Sequence, residues 1–492
     1  MPERALTDWV AAAERLRWPA QLLVDGARRP PLDGETRALV TPRDGTELAR
    51  VPWGGGEDIE AAVAAARRAF DEGPWPRMAP SERKVVLLRF AELIEANRDE
   101  LALMVTLEMG KPIAQSWSIE LRAVLASYRY YAELADKELD EIAPTGQEAL
   151  ALVTREPVGV VGVVTPWNFP LTLSAWKIAP ALAFGCTVVH KPADLTPLSA
   201  VRIAELALEA GVPAGVLNVV PGRGSVLGRR IGEHPAVDAL AFTGSTAVGR
   251  EYLRYAAESN LKRTWLELGG KSPNIILPDA ERDRAIATAA WGITFNAGQM
   301  CTAPSRLIVH EEIAEEVLDG VVRACAGYRP GDPLDPATTM GPLAAIERAA
   351  AVDEHVDRAF AEGATAALDA RGGTGAYYGP VVCSGVEAAS RLAREEVFGP
   401  VLAVQRASDV DEAVRLANDS EYGLAAGLWT RDVTAVHRIS RRLRAGTVWV
   451  NCYEEGDLGV PFGGYKQSGN GRDKSRHAIE KYTELKTTYL QL

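Results

Sequence analysis

From residue 153 onwards, short runs of consecutive apolar residues alternate with segments of helical pattern. Apolar runs without polar alternation are typical of the strands of a parallel sheet that helices cover on both faces. Sheets of this kind bind ligands beyond the carboxyl ends of their strands. The predicted strands lie at 158–164, 187–190, 216–220 and 239–242, and the helices between them at 173–184 and 198–210.

A second alternating region runs from about 265 to 460 and predicts a second α/β domain. Before residue 137 the pattern is different, with short strands and turns followed by helices. Asp58 is the predicted N-cap of one helix, and Ser81 begins a longer one. We interpret this N-terminal part as packing surface without chemistry. The strands of the second region are predicted at 274–277, 306–309, 401–404 and 447–450.

Chain length, net charge and the placement of uncharged segments exclude several classes of protein. The chain has 492 residues, more than a single core normally holds, and its formal net charge of -12 argues against a nucleic-acid-binding surface. The uncharged segment 157–176 has the length of a membrane span, but Pro166 and Pro170 interrupt it, so we predict a buried strand and loop there. The charged N-terminus lacks the apolar core of a signal peptide, and we expect a cytoplasmic protein that binds no membrane.

One of the five cysteines has the setting of a nucleophile. The five are scattered and include no CxxC pair, and the six histidines include no HExxH pair, so we expect a reducing compartment and no metal site. Cys301 follows a Gly-Gln turn between an uncharged run and the predicted strand 306–309. A thiol fixed on a turn can act as a nucleophile. The alternative is a small buried apolar residue, as most free cysteines are.

Two loops at predicted strand ends carry polar side chains. Asn168 lies between Pro166 and Pro170, which fix the backbone, so its amide could stabilise an oxyanion or could satisfy only its own loop. Lys191 and Asp194 follow the next strand. They suit the hydroxyls of a cofactor ribose, and the carboxylate disfavours a 2′-phosphate, although surface residues of these types are usually just solvated.

The glycine-rich loops are less specific. Residues 242–249 enter a helix whose N-terminus could bind a pyrophosphate, but no loop matches the GxGxxG fingerprint. Glu267 lies in a nearly apolar strand before Gly-Gly, where burial would raise its pKa toward that of a general base. An ion pair with Lys271 is the competing explanation. Later loops at 395–400 and 461–469 are suited to lining a pocket.

Taken in order along the chain, these loops resemble those of the aldehyde dehydrogenase superfamily, and the resemblance extends from about residue 22 to residue 492. Within it, the run 460–485 is most similar to the gamma-glutamyl-gamma-aminobutyraldehyde dehydrogenases of putrescine breakdown. The motifs that carry the resemblance are Pro-Trp-Asn-Phe-Pro at 166–170, Phe-Thr-Gly-Ser at 242–245, Glu-Leu-Gly-Gly-Lys at 267–271, Asn-Ala-Gly-Gln-Met-Cys at 296–301, Glu-Val-Phe-Gly-Pro at 396–400 and Pro-Phe-Gly-Gly at 461–464.

The resemblance implies an α/β fold: a Rossmann-type parallel-sheet NAD domain, an α/β catalytic domain and a β oligomerisation arm. The NAD sheet would be a five-stranded variant, which explains the missing fingerprint. The resemblance also implies that the chain forms a homodimer or a homotetramer. The implied boundaries are 1–137 and 153–266 for the NAD-binding domain, 267–465 for the catalytic domain, and 138–152 with 480–492 for the arm.

The resemblance also assigns roles to residues. Cys301 would attack an aldehyde, the Asn168 side chain and the Cys301 backbone N–H would hold the oxyanion, and Glu267 would activate water to release the carboxylic acid. The cofactor would be NAD rather than NADP. Its implied contacts are Thr165, Trp167, Lys191, Asp194, Gly224, Gly228, Phe242, Thr243, Gly244, Ser245, Val248, Leu268, Glu396 and Phe398. The implied substrate contacts are Trp176, Asp457 and Phe462.

The sequence departs from the family pattern at two residues, and two alternative functions stay open. Asp194 and Asp473 each stand where relatives often have glutamate, so coenzyme preference is less certain and Asp473 is not assigned a catalytic role. A CoA-acylating enzyme is one alternative, which Glu267 argues against; a non-catalytic nucleotide-binding protein is the other. The acidic residues at 454, 455 and 457 could attract amino-aldehydes or could form a solvated loop.

Overall fold

The computed structural model describes residues 4–492, which form two seven-stranded sheets, a three-stranded sheet and a hairpin. In the first sheet the order is β11-β10-β7-β8-β9-β1-β2, and the five strands from β7 to β11 are parallel. Its strands are β1 (Leu22–Val24), β2 (Ala27–Arg29), β7 (Val160–Val164), β8 (Thr187–Lys191), β9 (Leu217–Val219), β10 (Ala239–Thr243) and β11 (Arg263–Glu267).

The second sheet has the order β14-β15-β16-β13-β12-β17-β18, and its pairs are parallel except for β14 with β15. Five parallel strands in the first sheet and six in the second agree with the α/β prediction. The strands of the second sheet are β12 (Pro273–Ile276), β13 (Arg306–His310), β14 (Thr365–Asp369), β15 (Val381–Ser384), β16 (Val401–Ala407), β17 (Ala425–Trp429) and β18 (Thr447–Val450).

The remaining strands are antiparallel. The three-stranded sheet has the order β19-β6-β5, and β19 pairs with β6 along nine residues of each strand. Its apolar side chains at Ile142, Leu485 and Tyr489 are exposed. These strands are β3 (Thr36–Val40) with β4 (Glu47–Pro52) in the hairpin, and β5 (Glu141–Ala143), β6 (Ala149–Pro157) and β19 (Thr483–Gln491) in the sheet.

Helices cover both large sheets. The helix predicted to begin at Ser81 begins one residue earlier, at Pro80, and two further helix starts differ from prediction. The first begins at Gly56, since the Asp58 carboxylate accepts the Gly55 N–H at 2.9 Å from inside the first turn. The other begins at Pro170 rather than residue 173, because proline suits the first helical position. The helices are α1 (Leu6–Arg15), α2 (Gly56–Asp71), α3 (Pro80–Ala96), α4 (Arg98–Met109), α5 (Ile113–Gln115), α6 (Leu121–Leu134), α7 (Pro170–Ala183), α8 (Leu198–Ala210), α9 (Gly224–Glu233), α10 (Thr246–Glu258), α11 (Arg282–Thr294), α12 (Ala314–Ala326), α13 (Ile346–Ala361), α14 (Arg391–Arg394), α15 (Val410–Asn418) and α16 (Val433–Arg442).

The loops predicted to carry chemistry follow neighbouring strands of the first sheet. Neighbouring strands β8, β7, β10 and β11 end at Lys191, Val164, Thr243 and Glu267 in that order across the sheet. Cys301 lies on the connection between α11 and β13. The fold therefore collects the predicted loops at one edge of the first sheet, where parallel sheets bind their ligands.

Candidate active site

A cavity of about 300 Å³ lies at this edge. Cys301 and Asn168 line it together with loops that follow β10 and β11 and the loop before β16. Arg348, which was not among the predicted residues, also lines it. The predicted residues among its walls are Trp167, Asn168, Thr243, Gly244, Ser245, Leu268, Cys301, Glu396 and Phe398.

The turn that carries Cys301 has an unusual backbone. Asn296 and Ala297 have φ values of 50° and 54°, a left-handed conformation that non-glycine residues seldom adopt. Gly298 follows at φ 72°, and a Cβ there would collide with the carbonyl oxygen of Gly399. Packing against the 396–400 loop therefore fixes the direction of the turn, and strain of this kind persists only where surrounding structure enforces it.

Negative charge surrounds the half-buried Cys301. Burial raises the pKa of its thiol, and the nearby carboxylates of Glu454, Glu396 and Glu267 raise it further. A hydrogen bond from the Thr302 backbone N–H opposes the rise. Because the thiol is then protonated at neutral pH, attack on a carbonyl requires a base that accepts its proton.

The Asn168 side chain lies against the same turn. Its Nδ2 donates to the carbonyl oxygen of Gln299 at 3.0 Å, and Asn296 Nδ2 donates to the Asn168 carbonyl at 3.1 Å. The open alternative, that Asn168 satisfies only its own loop, does not describe this geometry. The asparagine joins the loop after β7 to the nucleophile turn.

A buried ion pair supports the Asn168 loop from behind. Lys111 and Glu120 form it, and each side chain is at most 1% exposed. Lys111 Nζ also donates to the Asn168 carbonyl at 3.0 Å, and Glu120 Oε1 accepts the Leu171 N–H at 3.0 Å at the start of α7. The sequence did not single out these two residues, because the N-terminal part was interpreted as packing surface without chemistry.

Glu267 stands at the end of β11 with its carboxylate unpaired. The residue is 4% exposed, and neither oxygen has a hydrogen-bond partner among residues 4–492. Burial, then the charge of Asp473, raises its pKa well above the usual range. The Lys271 Nζ is itself unpartnered within the described chain, so the structure does not show the ion pair that competed with the general-base interpretation.

A second buried cluster lies close to Glu267. Asp473 is fully buried and binds Lys177 Nζ at 2.6 Å and also Lys481. Burial acts to raise the pKa of Asp473, but the two ammonium groups outweigh it and hold that pKa below its usual value. Lys177 is the only charged residue of the apolar helix α7, a sequence signal that could have pointed to this cluster.

Asp194 is bonded to both Lys191 and Gly224, and all three are predicted cofactor contacts. Lys191 Nζ donates to Asp194 Oδ1 at 2.5 Å, and the Gly224 N–H donates to Asp194 Oδ2 at 3.4 Å. Lys191 is 3% exposed at the end of β8, while the Asp194 side chain keeps 33% of its exposure. A carboxylate with this access can still accept hydrogen bonds from sugar hydroxyls.

Glu396 closes the other side of the cavity. Its Oε1 accepts the Gly270 N–H at 3.0 Å, and a Cβ on Gly269 would collide with the carboxylate. Burial raises the pKa of Glu396 to about 7, against the charge of Lys271. The rings of Trp167 and Phe398 meet edge to face at 5.3 Å beside it.

Seven predicted cofactor contacts do not line the cavity, and their roles stay predictions. Three of them are Lys191, Asp194 and Gly224, described above; the other four are Thr165, Gly228, Phe242 and Val248. Thr165 Oγ1 binds His190 Nε2 at 2.9 Å, and Phe242 packs on Tyr252 at 4.8 Å. A Cβ on Gly228 would collide with the Tyr252 hydroxyl, so that glycine permits α9 to approach α10. Val248 is exposed on the first turn of α10.

The three predicted substrate residues do not form one group in the structure. Trp176 and Phe462 pack against each other with ring centres 5.2 Å apart, and neither lines the cavity of Cys301. Asp457 is exposed on the loop that follows β18. Glu454, from the same loop, reaches inward and accepts a hydrogen bond from Thr302, the residue after the nucleophile. The acidic stretch is therefore only partly a solvated loop.

Comparison with known proteins decides the family. The sequence model of the family described as "Aldehyde dehydrogenase family" matches residues 31–488. The chain belongs to the aldehyde dehydrogenase family. It is 46% identical to the NADP/NAD-dependent aldehyde dehydrogenase PuuC of Escherichia coli (strain K12) over 488 residues, 99% of each chain.

Two solved structures of this family superpose closely. An indole-3-acetaldehyde dehydrogenase complexed with NAD+ has a TM-score of 0.98 and 46% identity, with 99% of this chain and 100% of that one covered. A gamma-glutamyl-gamma-aminobutyraldehyde dehydrogenase from Burkholderia cenocepacia J2315 has a TM-score of 0.97 and 51% identity, with the same coverage.

These likenesses confirm the predicted family, its α/β fold and the enzyme class: an aldehyde dehydrogenase with a small-molecule aldehyde as substrate. The NAD+ complex of so close a neighbour supports NAD as cofactor. Across residues 4–492, no helix has the length and apolar character needed to cross a membrane.

Proposed function

We propose that this aldehyde dehydrogenase oxidises its substrate to the carboxylic acid with Cys301 as nucleophile, Asn168 as oxyanion donor and Glu267 as the base that activates water. The observation that carries the proposal is the arrangement around Cys301. Asn168 is bonded to its turn, and the buried Glu267 has no partner among the described residues. A buried carboxylate without a partner is expensive to maintain, which favours a chemical role.

The residues present fit NAD. Gly269 lacks the Cβ that would fill the space beside Glu396, and the buried Thr243 Oγ1 has no partner within residues 4–492. Lys191 and Asp194 would hold one ribose and Glu396 the other, since carboxylates accept hydrogen bonds from sugar hydroxyls. We infer the same for the remaining predicted contacts, and we keep the division into domains as proposed from the sequence.

The chemistry begins with the loss of the Cys301 proton, which Glu267 can accept because its pKa is raised. The thiolate adds to the aldehyde carbon and forms a thiohemiacetal. Its oxyanion is stabilised by the Asn168 amide and the Cys301 backbone N–H, donors fixed before reaction by the packing of their turn.

NAD, when bound, supplies the acceptor for the hydride that leaves the thiohemiacetal carbon. The carbon is then a thioester on Cys301. Once Glu267 has released the proton of Cys301 to solvent, it takes a proton from a water molecule that attacks the thioester carbon. The C–S bond breaks, Glu267 passes this proton to the departing thiolate, and the carboxylic acid leaves with the thiol restored. Water rather than CoA resolves the thioester because the base is in place.

The test is NADH formation with a panel of aldehydes. We expect Cys301→Ala to abolish turnover and Cys452→Ala, a second half-buried cysteine, to keep it. Substantial turnover by Cys301→Ala would contradict the proposed nucleophile. A requirement for added CoA would favour the acylating alternative.

For the substrate we propose an amino-aldehyde or a gamma-glutamylamino-aldehyde. The Burkholderia neighbour is named for a gamma-glutamylated amino-aldehyde, and Glu454 places a carboxylate next to the nucleophile turn. Comparing kcat/KM for 4-aminobutanal, its gamma-glutamyl derivative and propanal tests the class. Equal values for all three would contradict it.

We also propose a homodimer or homotetramer assembled through the β5, β6 and β19 sheet, in the cytoplasm. Exposed apolar side chains on that sheet support assembly, and five free cysteines suit a reducing compartment. Light scattering during gel filtration tests it: Leu485→Arg should lower the mass, and Val433→Arg, an exposed residue of α16, should not.

A further inference from the structure

Lys474 lies beside the predicted substrate aromatics with no ion-pair partner. Its Nζ is 5.4 Å from the ring centre of Trp176 and 6.0 Å from that of Phe462. The residue is half-buried, and no acidic oxygen of the described chain comes within ion-pair distance of its ammonium. A half-buried ammonium that rests on aromatic faces but is bonded to no carboxylate can accept an anion from outside.

The backbone fixes where Lys474 points. Lys474 and Ser475 have φ values of 63° and 52°, both in the left-handed region. The preceding Asp473 exchanges backbone hydrogen bonds of 2.7 Å with Phe462, and the Ser475 N–H donates to the Leu458 carbonyl at 2.6 Å. Strain at two consecutive non-glycine residues, held by pairing on each side, indicates a position that the surrounding structure determines.

Three carboxylates lie near the Lys474 ammonium, and two of them are already bonded to other groups. Burial lowers the pKa of Lys474, and the negative charges of Glu454, Asp457 and Asp473 oppose the decrease. Asp473 is committed to two buried lysines, and Glu454 is bonded to Thr302. Asp457 is exposed. Among the described residues of this region, Lys474 is thus a cation without an ion pair, and Asp457 is an accessible carboxylate.

Hydrogen bonds link this region to the residue that follows the reacting cysteine. Thr302 follows Cys301 and donates to Glu454, and Tyr453 donates to the Thr302 carbonyl at 2.7 Å. Glu454 in turn is close enough to Cys301 to raise the pKa of its thiol and close enough to Lys474 to influence that ammonium. Glu454 is therefore a shared neighbour of Cys301 and Lys474, which places the Lys474 region next to the nucleophile turn.

We propose that Lys474 binds a carboxylate at the far end of the aldehyde, so that the enzyme prefers substrates ending in an α-amino acid group, with Asp457 facing the ammonium. The proposal rests on the proposed function and deepens it. A purely cationic amino-aldehyde would meet Lys474 as a like charge, whereas a zwitterionic end matches both signs. The carboxylate of a gamma-glutamylated substrate then has a partner in the acidic mouth of the pocket.

The experiment uses four aldehydes that differ at the far end. N-(γ-glutamyl)-4-aminobutanal carries both charges, N-glutaryl-4-aminobutanal only the carboxylate, and N-butanoyl-4-aminobutanal neither; propanal lacks the chain. We expect Lys474→Met to raise KM for the first two by about tenfold to a hundredfold, the range of a charge-assisted hydrogen bond, with kcat little changed. KM for the last two should stay the same.

Two variants separate charge from folding. Lys474→Arg keeps the cation and should keep the preference, and Lys137→Met, which removes an exposed lysine paired only with its neighbour Asp136, should behave as the wild type. Melting temperatures of all variants show whether loss of Lys474 weakens the fold. Lys474→Gln repeats the comparison if the methionine variant is unstable.

Loss of activity by Lys474→Met on all four aldehydes alike would overturn the proposal, and so would a wild type that does not distinguish the glutaryl from the butanoyl compound. Absence of NADH even with propanal would contradict the proposed function instead. In that event calorimetry with the acid N-glutaryl-4-aminobutanoate decides the inference: binding weakened in Lys474→Met supports it, and unchanged binding refutes it.

Discussion

Gly471 lies directly against Glu267: a Cβ on Gly471 would come within 2.7 Å of Glu267 Oε1. A Cβ on Gly463, in the same loop region, would come within 2.8 Å of the same oxygen. The two glycines therefore define the space that the unpaired carboxylate occupies. Any side chain at either position would force Glu267 to move, although neither glycine takes part in the chemistry.

Gly471→Ala should displace Glu267 and slow the release of product. We expect kcat to fall about tenfold to a hundredfold, since a base out of hydrogen-bond reach loses its effect. Formation of the thioester should slow as well as its hydrolysis, because Glu267 accepts the proton of Cys301 before it activates water. Gly146→Ala is the matched control, as nothing lies within 4 Å of its Cβ position. An unchanged kcat in Gly471→Ala would contradict the role of Glu267.

The protonation of Glu267 should set the pH dependence of hydrolysis. The base works when it has lost its proton, and burial with Asp473 nearby raises its pKa. We therefore expect kcat to rise with pH, through a pKa well above the ordinary value of about 4.3 for glutamate. Glu267→Gln should lower kcat by about 10²–10⁴-fold and remove this rise, whereas Glu267→Asp should keep a pH dependence.

Much of the fold followed from the sequence because apolar runs with no polar alternation identify buried parallel strands. Helix α8 and strand β18 have the predicted bounds, and the loops after β7, β8, β10 and β11 meet at one edge as expected. Cys301 and Glu267 stood out by local composition, an isolated thiol on a turn and an acid in an apolar strand.

The supporting residues were not predictable in the same way. Lys111 and Glu120 are ordinary charged residues in their local sequence, and only the tertiary fold shows that both are buried behind Asn168. The interior position of Asp473 is likewise decided by Lys177 and Lys481, which lie on separate elements. Burial of these charges depends on contacts between distant segments, and the local sequence indicates it only for Lys177, the one charged residue of the apolar helix α7.

Lys111→Met should destabilise the protein and disturb the oxyanion donor. Removing one partner of a buried ion pair leaves Glu120 uncompensated, which costs about 3–5 kcal/mol. The Asn168 carbonyl also loses its hydrogen bond from Lys111. Urea unfolding should show the loss, and kcat should fall in the protein that remains folded. The double variant Lys111→Met with Glu120→Gln should recover part of the stability, and no recovery would contradict the paired role.

Cofactor binding should strengthen as pH rises through about 7. Burial raises the pKa of Glu396 to about 7, although a hydrogen bond from the Gly270 N–H and the charge of Lys271 act to lower it. The ionised carboxylate accepts hydrogen bonds from ribose hydroxyls better than the neutral acid, so the Kd for NAD should decrease between pH 6 and pH 8. Fluorescence titration at each pH measures it. In Glu396→Gln the affinity should be weaker and nearly independent of pH; a retained pH dependence would assign it to another group.

Asp194 should determine the preference for NAD over NADP. Its carboxylate is bonded to Lys191 Nζ at 2.5 Å and stays one-third exposed, where a 2′-phosphate would meet its negative charge. Asp194→Asn removes that charge and leaves Lys191 without its counter-ion, so the lysine can bind the phosphate instead. We expect the ratio of kcat/KM for NAD to that for NADP to fall at least about tenfold, while Asp194→Glu keeps the wild-type preference. Initial rates with both coenzymes and one aldehyde provide the measurement. If the asparagine variant kept the wild-type ratio, the choice of coenzyme would have to rest on contacts other than the one between Asp194 and Lys191.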